Sequence, residues 1–226
     1  MASSSLTPLK PTSLIFTNSQ TIRPQRPQPT VRCGPRDNRG PLHKGRVLSS
    51  EAIQAIQALK RANSKSNSDD LDHVASKTLT RLVKADLLAA FHELLRQDQC
   101  DLALRVFSAV RSEIWYRPDC NLYAGMAAAL ARNGRAAEID GVVAELEREG
   151  VGEGGGISRL IRGLVGAGRR EAVVRVYGVM RREGVGVDDE YVSKVLSRGL
   201  KRLGEEGVAG QVERDFLESC EGVVGR

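Results

Sequence analysis

The sequence predicts an all-α chain: a right-handed solenoid of about five helix-turn-helix hairpins. Three observations predict it. Apolar residues recur at the helical spacing i, i+3, i+4, i+7 in paired stripes. The pairs repeat at an interval near 35 residues, from Leu87 to Tyr123, Ile157 and Val192, which is the mark of a repeat array. Glycine-containing turns and a proline fall where the stripes end, as helix termination requires.

Each element follows in order. The first hairpin, residues 49–83, is degenerate. Ala52, Ala55, Ile56 and Leu59 form one stripe behind a Ser49-Ser50 cap, and Leu71, Val74 and Ala75 form the other after a polar linker. The second, 84–119, pairs Leu87, Ala90, Phe91 and Leu94 with Ala103, Val106, Phe107 and Val110. Arg117-Pro118-Asp119 closes it. The third, 120–153, pairs Tyr123, Met126, Ala127 and Leu130 with Ile139, Val142, Val143 and Leu146. The fourth, 154–188, pairs Ile157, Leu160, Ile161 and Leu164 with Val173, Val176, Tyr177 and Met180. The fifth, 189–222, is weaker: Val192, Val195, Leu196 and Gly199 face Ala209, Val212 and Phe216, with Glu213 breaking the pattern. No single hairpin can bury its stripes alone, but stacked neighbours can. Phe107, Val143 and Tyr177 are expected between hairpins.

The net charge of +6 belongs mostly to the N-terminus. Lys10, Arg23, Arg26, Arg32 and Arg36 precede the first acid, Asp37, so the rest of the chain is close to neutral. Basicity alone therefore does not predict a nucleic-acid partner. Residues 1–33 are rich in Ser and Thr, free of acids and interrupted by Pro24, Pro27 and Pro29. The longest apolar run there is Leu14-Ile15-Phe16, too short for a secretory signal. This reads as a chloroplast transit peptide, with Val31-Arg32-Cys33 as cleavage context, a stromal destination and the mitochondrion as second choice. Residues 34–48 form a basic lead-in, partly disordered. No apolar run is long enough to span a bilayer, so no membrane partner is expected.

Enzyme signatures fail in context. Gly150–Gly155 fits GxGxxG but follows a helical stripe rather than a strand, so it reads as an inter-repeat loop. His92-Glu93 opens like a zinc-protease helix, yet the second ligand position is Arg96. Cys33, Cys100, Cys120 and Cys220 form no CxxC pair. Cys100 and Cys120 read as small packing residues. The expectation is a non-enzyme with no cofactor and no metal.

The run Leu160-Ile161-Arg162-Gly163-Leu164, then Ala167-Gly168-Arg169, Tyr177, Met180, Glu183-Gly184 and Asp188, resembles a pentatricopeptide repeat (PPR). Tetratricopeptide repeats are the nearest rival, but they place a glycine and bulky aromatics inside the first helix. Upstream, Arg39–Arg46 and Leu48–Ala62 resemble the head of the short chloroplast PPR proteins of the thylakoid-assembly-eight type. That resemblance covers roughly residues 36–226. It implies RNA binding and help in splicing chloroplast group II introns, for chloroplast and thylakoid biogenesis. It implies single-stranded or structured intron RNA, plastid splicing factors and a homodimer as partners. The rival reading is a helical protein–protein adaptor in the plastid that never touches RNA.

The resemblance also implies one base per repeat, read by an early residue of the first helix and one at the unit's end. The first helices then line one concave face. The positions are Ala124 with Glu153, Ser158 with Asp188, and Ser193 without a clear partner. Serine with aspartate resembles a guanine-reading pair; a hydroxyl and a carboxylate can meet the donors and acceptor of that base edge. Helical spacing puts Arg159, Arg162, Lys194 and Arg198 near the same face as phosphate contacts. The 84–119 unit departs from the pattern, with Asp98 at the turn glycine and Leu88 at the reading position. The competing roles are helix caps: Ser158 at the start of one helix and Asp188 before the next.

Overall fold

A computed structural model describes residues 48–64, 68–152 and 155–224. The chain divides into two units, Met1–Leu42 and His43–Arg226, and all described residues belong to the second. The transit peptide, nearly all of the lead-in, and Glu153 lie outside the described residues.

Among the described residues there are ten helices and no strand. They pair as α1 (Ser50–Asn63) with α2 (Ser68–Leu79), α3 (Lys84–Arg96) with α4 (Cys100–Ser112), and α5 (Cys120–Arg132) with α6 (Ala136–Glu149). Then come α7 (Ile157–Gly166) with α8 (Arg170–Glu183), and α9 (Glu190–Arg202) with α10 (Glu206–Val224). The odd-numbered helices pack side by side in one row, α1 on α3 through α7 on α9. Even-numbered helices form the other layer, with α2 on α4 and α6 on α8.

The stripes are buried as their spacing requires. Phe107, Val143 and Tyr177 keep 2%, 1% and 5% of their surface, so the expected register between hairpins holds. Phe107 lies against Phe91 at 5.4 Å, near-parallel, and against Tyr123 at 4.9 Å, edge-on. That run joins α3, α4 and α5, and such ring pairs add to simple area burial.

The inner turns share one device. Gly134, Gly168 and Gly204 have φ of 70°, 68° and 83°, the left-handed conformation that closes a helix. Asp98 holds the same place in the 84–119 unit with φ 53°. Aspartate tolerates this region better than most side chains, and here it is held there. Its carboxylate accepts from Arg132 at 2.8 Å and Asn133 at 3.2 Å, both at the end of α5. The departure from the repeat pattern is thus a substitution of one left-handed cap by another.

Arginine–carboxylate pairs stitch neighbouring hairpins together. Arg111 of α4 bonds Glu145 and Glu149 of α6; Glu149 also accepts from the Tyr116 and Tyr123 hydroxyls at 3.2 and 2.6 Å. Arg169 pairs with Asp140, Arg175 with Glu147, and Arg181 with Asp215 at 2.7 Å. Burial holds the Tyr123 hydroxyl far above its usual pKa, with the Glu149 hydrogen bond adding to the shift. No helix among the described residues is long and apolar enough to cross a membrane.

Candidate nucleic-acid interface

The odd-helix row carries a shallow groove across α3, α5 and α7. Its floor is small because α5 presents Gly125 and Ala128 there. A side chain at Gly125 would meet Leu95 of α3 at 3.1 Å, so the missing Cβ lets the helices close up. The walls are His92 and Arg96 from α3, Arg132 from α5 and Arg159 from α7. Asp98 is the single carboxylate among the described lining residues. Arg96 is tied to Glu93 and Arg132 to Asp98, but both side chains stay about half exposed, at 46% and 53%. Arg159 is exposed and has no carboxylate within ion-pair distance among the described residues. Burial, then the Arg159 guanidinium, hold His92 below the usual imidazole range, and Asp119 opposes them. His92 is therefore a neutral donor and acceptor near neutral pH rather than another cation.

The base-reading candidates divide. Ser158 is the second residue of α7 and half-buried. The N-cap is Gly156, and Ser158 contributes only its carbonyl, to Arg162 Nε at 3.3 Å. Its hydroxyl is not a cap. Asp188 is exposed, and the cap of α9 is its neighbour: Asp189 accepts from Tyr191 N at 2.8 Å and Val192 N at 3.0 Å. The capping role expected for Asp188 therefore moves one residue along. The loop before Asp188 packs at Gly186, whose added Cβ would lie 3.5 Å from Ile157, the residue preceding Ser158. Serine and aspartate thus stand on adjoining segments, and neither caps its helix.

Ala124 and Ser193 are placed otherwise. Ala124 is 2% exposed, within the packing of α5, and offers a base no surface. Ser193 is 7% exposed and lines a cleft between α9 and α10. Lys194 and Arg198 line that same cleft at the last hairpin, not the α3–α5–α7 groove. Lys194 is tied to Glu190 within α9. Arg162 is exposed one turn along α7 from Arg159. The four cations expected together therefore fall in two places, because the helical repeat sets azimuth but not which neighbour walls the cleft. Sequence reasoning missed His92, Arg96, Arg132 and Asn121. The signal was available: they sit at the exposed positions facing away from the stripes. Asn121 ties α5 to the start of α7 by donating to the Gly155 carbonyl at 2.9 Å.

No group of three or more His, Cys, Asp or Glu among the described residues could hold a metal. Cys100 and Cys120 are buried at 4% and 0%, and burial pushes the Cys120 thiol up to about 12, so neither is a thiolate at neutral pH.

No known family profile matches the chain. It is 48% identical over 215 residues to Protein THYLAKOID ASSEMBLY 8, chloroplastic, of Arabidopsis thaliana, covering 92% of this chain and 95% of that protein. It is 33% identical over 181 residues to a pentatricopeptide repeat-containing protein of the same plant, covering 78% of this chain and 88% of the relative. Among solved structures it superposes on THA8 in complex with Zm4 RNA with a TM-score of 0.67 and 38% identity, over 76% of this chain and 96% of that one.

Proposed function

The chain belongs to the short pentatricopeptide-repeat proteins of the thylakoid-assembly-eight type, and we propose that it binds single-stranded segments of chloroplast RNA and assists splicing of group II introns. It is a chloroplast protein, like the relative named chloroplastic. The observation that carries RNA binding is the groove: three half-exposed or exposed guanidiniums and a histidine from three successive repeats line a floor of small residues, and Arg159 among them has no carboxylate partner among the described residues. A backbone of phosphates fits that charge pattern, and a structural relative is a complex with RNA. Selectivity comes from the Ser158–Asp188 unit.

The magnitudes set the mode of action. A stacked base contributes ~1–3 kcal/mol. Two or three such contacts give about micromolar binding or weaker once the ordering cost is subtracted. One readable unit cannot select a transcript. The protein therefore acts on introns together with other splicing factors, or on RNA whose fold already presents the site.

The experiment is binding of labelled single-stranded intron RNA to the purified protein across a salt series, with sequencing of RNA that co-purifies from chloroplasts. Affinity should fall steeply with salt, and group II intron sequences should be enriched. A protein that binds no RNA, alone or with plastid splicing factors, is instead the adaptor.

A further inference from the structure

A second cleft, on the α3 side, includes Leu88, the reading position of the 84–119 unit. It has a volume of about 650 Å³ and lies where the α4–α5 connection folds back over α3. Leu88, Trp115, Pro118 and Leu122 supply apolar walls, and Lys84, His92 and Asp119 supply polar ones. Trp115 is half-buried, with the Lys84 ammonium 4.9 Å from its ring centroid. Its indole N–H donates to no group among the described residues. His92 lines both this cleft and the α3–α5–α7 groove, so the two adjoin at that side chain.

From this geometry we infer that the Trp115 cleft takes one unpaired nucleobase of a bound RNA strand, stacked on the indole. The inference rests on the RNA-binding reading above and adds a contact to it. An RNA backbone held by Arg159, Arg132 and Arg96 reaches His92 with its next nucleotide at the mouth of the cleft. A base has two flat faces and needs an aromatic platform; the indole is the strongest one a protein offers, and stacking tolerates every base. Lys84 covers the ring in the free protein. As the base takes the ring face, the ammonium follows its flexible stem to the nucleotide's phosphate, a stronger partner than the π-cloud. Val83 and Ile114 are 64% and 96% exposed beside Lys84 and Trp115. That apolar rim would also suit a protein segment, but Lys84 and Arg117 against the single carboxylate of Asp119, and the His92 wall shared with the basic groove, favour a nucleotide. The 84–119 unit, with apolar Leu88 at its reading position, thus holds a base without reading it.

Trp115 is the sole tryptophan of the chain, so intrinsic fluorescence reports this cleft alone. The test titrates wild-type protein with a mixed-sequence 12-nucleotide RNA, following tryptophan emission and, in parallel, anisotropy of a dye on the RNA. Emission should be quenched with the midpoint seen by anisotropy. Trp115→Ala should bind about five- to a hundredfold more weakly, Trp115→Phe should recover most of the affinity, and both should keep the wild-type circular dichroism. Anisotropy without any change in emission overturns the base cleft and leaves RNA binding standing; the cleft then serves a protein partner. Quenching with undiminished affinity of Trp115→Ala also overturns it. Absence of binding by anisotropy removes the RNA-binding reading itself, and the cleft with it.

Discussion

Ser158 is a serine near a helix start that does not cap the helix, which leaves its hydroxyl for other use. Ser158→Asn should shift the preferred base away from guanine, because an amide presents a different set of donors and acceptors from a hydroxyl. Competition between short RNAs differing at one guanine measures it, and an unchanged preference would remove Ser158 from recognition. The charge next to it can be tested without RNA. Burial depresses the His92 pKa first, and the Arg159 guanidinium second. Arg159→Ala removes the second cause only, so the His92 pKa should rise but stay below that of a free imidazole. An NMR titration of the imidazole reads this directly. A His92 pKa that does not move would mean that α3 and α7 do not face each other across α5.

Helix packing in this molecule depends on where side chains are missing. Gly199 of α9 sits on Val165 of α7, and an added Cβ would lie 2.6 Å from Val165 Cγ2. Gly178, inside α8, would meet nothing within 4 Å. The same substitution should therefore have opposite signs. Gly178→Ala should stabilise by ~0.5–1 kcal/mol through helix propensity alone. Gly199→Ala should cost ~1–3 kcal/mol by overpacking, despite the same propensity gain. Val143→Asp, at 1% exposure, should cost ~3–5 kcal/mol by burying an unpaired carboxylate. Denaturant melts of the three variants decide all three points. Periodicity made the stripes legible, since burial of Phe107, Val143 and Tyr177 follows from spacing within one helix. The turn glycines were legible because a left-handed residue leaves a composition signal. Asp98 hid that signal: its conformation depends on Arg132 and Asn133, which are distant in sequence. The groove was only half legible for the same reason. Arg159 could be placed on a face of α7, but its meeting with His92 depends on how closely α5 lets its neighbours approach.

At the scale of the whole molecule, net charge is a poor guide to what the protein attracts. Beyond the leader the acids and bases nearly cancel, yet they are not spent alike. Arg111, with 18% of its side chain exposed, is held by two carboxylates and lies 5.6 Å from the Phe107 ring centroid. Arg159 and Arg162 are exposed on α7 and have no carboxylate partner among the described residues. The first kind joins repeats; the second is available to an anion. Two variants should separate these uses. Arg111→Ala leaves Glu145 and Glu149 without their cation at the joint between hairpins, which should cost roughly 1–3 kcal/mol. It should not alter the salt dependence of RNA binding. Arg159→Ala with Arg162→Ala should melt like the wild type, since neither residue holds two elements together. The logarithmic salt slope of RNA binding should then flatten by about 0.7 for each phosphate that is no longer neutralised. Affinity should drop alike for all RNA sequences, unlike the effect of Ser158→Asn. If the double variant keeps the full salt slope, the phosphates lie elsewhere, and the cleft of Lys194 and Arg198 between α9 and α10 becomes their place.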